Sequence, residues 1–286
     1  MTQASVLMGA VAYAPKVVTI WEGFKAWFAG HGLAFDYVLY SNYERQVEAQ
    51  FKGEIDVAWN SPLAWERARR MAAAKGVTVE AIAMRDTDCD LSSVLVVRKR
   101  DGLGALAQLT DKTIGFGAID SPQATLIPKD HLRQAGMVAG REYQARLFDV
   151  LGGKHGDHIG GERDAAVALL AGEIDAAWMI DGNYHAFANE GTLPAGETVI
   201  LARTGLFDHC NFTTSPHADP VVMQQFRNLL LSMRWDDPAV RPLLELEGLR
   251  EWKLGRTNGY ALLARATDDE AFYDQQGNIL EQNYRY

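Results

Sequence analysis

The chain has 286 residues, more than one small hydrophobic core needs and suited to two domains of ordinary size, ~100 to 150 residues each. Its 48% hydrophobic and 23% charged residues exclude the low-hydrophobicity, high-charge regime of disordered chains. The formal net charge is -9 with Lys and Arg dispersed, which argues against nucleic acid or an anionic membrane as partner and leaves any anionic ligand to local donors in a dry site.

The N-terminal stretch MTQASVLMGAVAYAPK lacks a basic start, a long apolar run and a small-residue cleavage site, so no secretory signal is read there. The expected location is periplasmic if a signal peptide was removed and cytoplasmic if the sequence is complete. No apolar run reaches the ~18 to 20 residues that span a bilayer.

SVLMGAVAY reads as a strand, VVTIWEGFKAWFAG as a helix with Val17, Ile20, Trp21, Phe24, Trp27 and Phe28 on its apolar side, and AFDYVLY as an alternating strand. Next come the amphipathic YERQVEAQFK and, at residues 53 to 59, GEIDVAW. This motif recurs as GEIDAAW at residues 172 to 178, again behind an amphipathic stretch, ERDAAVALLA. In both copies a glycine ends a helix and a short apolar strand follows. Seven aligned positions with one difference, in one helix-strand context, make an internal repeat the better account than coincidence.

Between the copies, SSVLVVRKR is extended, DKTIGFG a strand, PQATLIPKDHLRQAG a helix and YQARLF a strand; ETVILAR follows the second copy as a strand. Strands alternating with helices predict mostly parallel sheets flanked by helices, with ligands at the strands' carboxyl ends. Residues 92 to 100 and 199 to 205 are candidate hinge strands. The expected division is residues 1-97 plus 206-286 in lobe 1, which includes the helical VVMQQFRNLLLSM and an aromatic tail, and 98-205 in lobe 2.

Three segments, YERQVEAQFKGEIDVAWNSPLAW, VVRKRDGLGALAQLTDKTIGFGAIDSPQATLIPKDHLRQAG and ERDAAVALLAGEIDAAWMID, resemble the phosphate/phosphite/phosphonate substrate-binding proteins of ABC importers. The resemblance spans roughly residues 35 to 185 and implies an α/β, two-lobed periplasmic-binding-protein type II fold with the ligand in a cleft between lobes. It implies a ligand-contacting role for Tyr43, which matches a tyrosine opening the cleft helix, and for Asn60 and Ser61 in the loop after the first repeated strand. Asp120-Ser121-Pro122-Gln123 replaces a Ser-Thr-Ser-Gly type of anion loop. One hydroxyl survives at Ser121, and Pro122 removes an amide donor. Arg163 falls where phosphonate binders tend to have a histidine, and a guanidinium there clamps a carboxylate, sulfonate or phosphonate bidentately. Asp181 matches an acidic residue after the second repeated strand.

The residues themselves give each of these a competing structural role. Ser121-Pro122, between a strand and a helix, is the pattern of an N-cap followed by proline at the first helical position. At the carboxyl end of a strand it also aims helix amides at an anion. Asn60 and Ser61 after one repeat, with Asp181 and Asn183 after the other, are strand-ending turn residues, and their symmetric placement favours ligand contact. Tyr43 is either a packing aromatic or a wall of a small-molecule site.

Metal ligation is not expected. Lys154 to His158 is a polar loop without zincin spacing, read as solvated, and the Asp86, Asp88, Asp90 run lacks the glycine and distal glutamate of a calcium loop. Cys89 and Cys210 are isolated, and neither a disulfide framework nor a structural zinc site follows. No GxGxxG, Walker A or GxSxG pattern is present, so no cofactor is expected.

The favoured reading is a solute-binding protein that captures a small oxyanion through Tyr43, Asn60, Ser61, Ser121, Gln123, Arg163 and Asp181 for delivery to an ABC permease. The alternative is a cytosolic, cofactor-independent lyase, decarboxylase or hydrolase that uses Asp90, Glu162, Asp181, His209 and Cys210 as protonatable groups. His209 and Cys210, taken as neighbours on a strand, are expected on opposite faces and so unable to act as a dyad. A ligand-sensing subunit docking on a receptor shares the same fold.

Overall fold

The computed structural model describes residues 5–157 and 160–286. His158 of the polar loop therefore lies outside the described residues. The chain divides into two compact units, one of Met1–Cys89, Asp208–Tyr260 and Gln275–Asn278, the other of Asp90–Phe207, Ala261–Asp274 and Ile279–Tyr286.

In the first unit the order is β1 (Ser5–Val11), α1 (Lys16–Gly30), β2 (Ala34–Tyr40), α2 (Tyr43–Lys52), β3 (Val57–Asn60), α3 (Pro62–Lys75) and β4 (Ala81–Arg85). The second unit follows with β5 (Ser93–Arg98), β6 (Thr113–Phe116), α4 (Ile127–Gln134), β7 (Gln144–Leu147), α5 (Gly160–Ala171), β8 (Ala176–Ile180), α6 (Asp181–Glu190) and β9 (Thr198–Arg203). The chain then returns through β10 (Asn211–Thr214), α7 (Pro220–Ser232), α8 (Arg241–Glu247) and β11 (Trp252–Leu254), and α9 (Ala261–Asp269) rejoins the second unit.

The sheet orders are β11-β4-β10-β3-β1-β2 and β7-β6-β8-β5-β9. The parallel pairing expected from helix-strand alternation holds for β2-β1-β3 and β7-β6-β8, and strands that enter from elsewhere in the chain add antiparallel pairs. All of β5 pairs with β8 or β9, so residues 93 to 97 belong with the second unit's sheet and not with the first lobe of the sequence division. Most of the tail departs from that division too. There α9 packs on α4, and Arg133 and Arg265 pair with Glu270 and Asp130.

The first unit's core is aromatic. Trp21, Phe24 and Phe28 of α1 meet Trp59, Phe212, Phe226 and Trp252, with ring centroids between 4.7 and 6.4 Å for the contacting pairs. In the second unit the sheet is covered on both faces: Val94, Val96, Ala177 and Met179 enter one cluster, Leu95, Val97, Ala176 and Trp178 the other. Period-2 alternation into two apolar layers explains why β5 and β8 read as unbroken hydrophobic runs.

The repeat is a shared frame whose residues each have a packing reason. Gly53 and Gly172 take left-handed φ values of 73° and 80° and end their helices, while the amides of Glu54 and Glu173 close back on Ala49 and Ala168. The Asp56 carboxylate accepts the Leu7 amide at 2.8 Å, and Asp175 accepts that of Thr113 at 2.9 Å, so each pins the neighbouring parallel strand. Ile55 and Ile174 fill space where a side chain is missing. A Cβ on Gly9 would stand 2.6 Å from the Ile55 Cδ1, and one on Gly115 would stand 2.5 Å from that of Ile174.

Candidate functional site

In the second unit, β6 ends at Phe116 and the chain turns through Gly117 to Ser121 before entering a wide turn, Pro122–Leu126, that leads into α4. Pro128 explains the width. It has no N–H to return to Ala124, whose carbonyl instead accepts from the Gly117 amide at 3.1 Å, and the Leu126 amide closes on Ser121 O at 3.0 Å. Ser121 is extended at φ -78°, and its Oγ accepts the Ala124 amide at 3.1 Å, with Pro122 in the first helical position. The Ser-Pro pair is thus the cap that its sequence suggests, placed at a strand's carboxyl end.

The segment Gly153–Asp157 folds onto this helix start. The Asp120 carboxylate accepts the amides of Gly153 at 2.6 Å and His155 at 3.2 Å, and Gln123 Nε2 donates to the Gly156 carbonyl at 2.9 Å. Gly156, at φ +75°, lies so close that a Cβ would be 2.3 Å from Ser121 Oγ. His155 is fully buried and Lys154 is partly covered, which overturns the reading of a solvated loop. Burial lowers the Lys154 pKa from its ordinary value, against the pull of Asp157. Gln123 is buried, and its Oε1 has no hydrogen-bond partner among the described residues, while Ser93 Oγ donates to its carbonyl at 2.5 Å. The first turn of α5 presses on the same loop: a Cβ on Gly161 would meet the Phe148 carbonyl at 2.4 Å and the Ala118 amide at 3.3 Å.

The other candidates of this unit have different employment. Arg163 pairs with Glu190, donates to Thr192 at 3.2 Å and lies over the Phe187 ring, so its charge is met at the far end of α6. Asp181 is bridged by Arg203 at 3.0 Å, and Glu162 accepts the Ile180 amide at 3.0 Å and Asn183 Nδ2 at 2.7 Å. That makes Glu162 a carboxylate holding the start of α6, where negative charge is favourable.

In the first unit, Asn42 caps α2 by accepting the Arg45 amide at 2.9 Å, and Tyr43 behind it is buried. Ser61 caps α3 by accepting the Ala64 amide at 3.1 Å, with Pro62 next, a second Ser-Pro helix start. Asn60 belongs to a buried amide network: its Oδ1 accepts from Gln46 at 2.8 Å and its Nδ2 donates to Gln50 at 3.4 Å, while Gln50 donates to the Thr214 carbonyl at 2.7 Å. The network ties α2 to β3 through Asn60 and to β10 through Gln50.

His209 and Cys210 are a correction. They precede β10 in an irregular segment, so strand alternation does not separate them, and His209 Nδ1 lies 3.1 Å from Cys210 Sγ. Asp208 beside them is buried in a two-pronged pair with Arg256, at 2.7 and 2.5 Å. Sequence reasoning missed Asp88 as their neighbour, because nothing local links residues 88 and 209; the link is the adjacency of β4 and β10.

Residues 11–258 match the family described as ABC transporter, phosphonate, periplasmic substrate-binding protein. The chain belongs to this family. The fold agrees, as a two-sheet α/β structure of the periplasmic-binding-protein type II class. PhnD1 from Prochlorococcus marinus (MIT 9301), solved in complex with methylphosphonate, is similar at a TM-score of 0.70 and 15% identity over 94% of this chain and 99% of that one. A binding protein component of an ABC phosphonate transporter from Pseudomonas aeruginosa is similar at 0.60 and 13%, covering 94% and 95%. The periplasmic aliphatic sulphonate binding protein SsuA from Escherichia coli is similar at 0.60 and 15%, covering 93% and 91%. The chain is a substrate-binding protein of the phosphonate ABC transporter family, and the match does not favour the enzyme alternative. Among the described residues no helix is long and apolar enough to cross a membrane.

Proposed function

We propose that this substrate-binding protein captures a small oxyanion, a phosphonate, phosphate or related organic acid, at the Ser121 helix start of the second unit and delivers it to an ABC permease from the periplasmic side. The observation that carries the choice of site is the convergence of Ser121, Gln123 and the loop bearing Lys154 on one helix start at the carboxyl end of β6. Helix amides and neutral side-chain donors bind anions without requiring global positive charge, which this chain lacks. Tyr43 and Ser61 stand within the first unit, each at a helix start that follows a strand. Arg163 and Asp181, already paired within the second unit, are given no ligand contact.

Native mass spectrometry after incubation with methylphosphonate, phosphate, phosphite, an alkanesulfonate and a small carboxylate tests this reading. One oxyanion should be retained with its mass unaltered and should raise the melting temperature by mass action. Retention of none, or appearance of a product of changed mass, overturns it.

A further inference from the structure

Away from the helix-start site, the first unit gathers three metal-ligating side chains of different chemistry. Asp88 ends the short turn after β4, and His209 and Cys210 lead into β10, the neighbouring strand of the sheet. The His209 amide donates to the Asp88 carbonyl at 2.8 Å, which locks the two segments together. His209 Nδ1 then stands 3.1 Å from Cys210 Sγ and 3.5 Å from Asp88 Oδ1, and the three donor atoms all lie within 4.8 Å of one another. The residues are buried, with 1%, 8% and 2% of the surface of Asp88, His209 and Cys210 exposed.

A cation equidistant from all three answers all three. Ligands bound at ~2.0 to 2.3 Å in a tetrahedral shell stand roughly 3.3 to 3.8 Å apart, close to the separations from Nδ1 found here. Mixed oxygen, nitrogen and sulfur donors suit zinc and its borderline relatives, and are unsuited to magnesium or calcium.

The frame holds the donors in position. Tyr260 donates to the His209 carbonyl at 2.8 Å and is itself held by Asn211 at 2.9 Å. Arg85 donates to both Asp88 oxygens, at 2.5 and 2.9 Å, and its own charge is answered by Glu247 at 3.3 Å. With Cys210 bound as thiolate and its proton released to solvent, the cluster, Arg85, Glu247 and a divalent ion come to electroneutrality.

The geometry points to a zinc-class divalent cation site formed by Asp88 Oδ1, His209 Nδ1 and Cys210 Sγ, with a fourth position left for water. Its effect is to clamp the end of β4 to β10 within the first unit, and it does not depend on the oxyanion reading.

The test is titration of the full chain, freed of metal by chelation, with Co2+ and then Zn2+. Cobalt should bind at one equivalent with a sulfur-to-cobalt charge-transfer band, zinc should displace it, and zinc should raise the melting temperature. Cys210→Ser should abolish the band and weaken zinc binding by at least about tenfold, and His209→Gln should weaken it similarly, whereas Cys89→Ser should leave both unchanged. Far-UV circular dichroism identifies a variant that fails to fold, and either of the two ligand variants suffices. No cobalt uptake, a band that survives Cys210→Ser, or a band lost in Cys89→Ser overturns the assignment.

Discussion

The two units carry a seven-residue repeat that differs at one position, Val57 against Ala176, and diverge after it. In the first, β3 runs into Asn60-Ser61-Pro62, where Asn60 is drawn into a buried amide network and Ser61 caps α3. In the second, β8 runs into Asp181-Gly182-Asn183, and α6 begins with no side-chain cap of its own while Asp181 faces Arg203. The second unit's Ser-Pro helix start comes instead after β6, and there the polar loop folds over it. Equivalent places in a repeat therefore report the scaffold. The residues proposed to hold an anion lie at the helix start after β6, outside the repeat.

The sharpest way to break this comparison is to attack the shared frame in both units. Gly9→Ala and Gly115→Ala each drive a methyl to within 2.6 and 2.5 Å of an isoleucine, and each should cost about 2 kcal/mol in urea unfolding. Adding Ile55→Val or Ile174→Val in the same unit should recover part of the loss, a coupling that distant changes would not show. A cost in one unit only would mean the frames are not equivalent.

A smaller effect is expected from the strand pins. Asp56→Ala and Asp175→Ala remove the acceptors of the Leu7 and Thr113 amides and should each lower stability by about 1 kcal/mol. Equal losses would confirm that the repeated aspartate is structural in both copies.

The second unit's tail can be tested in acid through Asp130. In the second unit, burial opposes the charge of Asp130, but hydrogen bonds from Arg265 and Gln134 prevail and hold its pKa below the ordinary value of 3.8. A carboxyl depressed in the folded state contributes stability that is complete above its unfolded pKa and is lost as pH falls through the folded one. Asp130→Asn should therefore lower stability near neutrality and flatten the decline below about pH 4, as followed by urea melts across that range.

The smallest effect is expected at Arg163, which the family resemblance made the anion clamp. Its pair with Glu190 is more than a third exposed on both sides, so Arg163→Ala should change stability by no more than about 0.5 kcal/mol and leave oxyanion affinity unaltered. A calorimetric titration of the variant checks both statements.

These cases show what the sequence carries. The helices and strands were legible because their periods are local: α1 buries Val17, Ile20, Trp21, Phe24 and Phe28 from one stripe, and the repeat marks β3 and β8. The Ser121 cap was legible for the same reason, as a three-residue signal. The pair of Arg163 with Glu190 was not legible, because Glu190 lies 27 residues away and a charge has no local signature of its partner. The burial of His155 depends on Asp120 accepting amides from a loop more than 30 residues on. The tail's place depends on ion pairs such as Arg265 with Asp130, 135 residues apart. Side chains whose role is set by distant partners need the tertiary structure.

The central claim is that an oxyanion is held, unchanged, at the Ser121 helix start. Isothermal titration of the wild type, Ser121→Ala, Gln123→Ala and Arg163→Ala with methylphosphonate, phosphate, phosphite, an alkanesulfonate and a small carboxylate tests it most directly. The account predicts binding of at least one of these, weakened about tenfold or more in the Ser121 and Gln123 variants and unaltered in the Arg163 variant. Absence of binding to all of them, or a loss confined to Arg163→Ala, would contradict it.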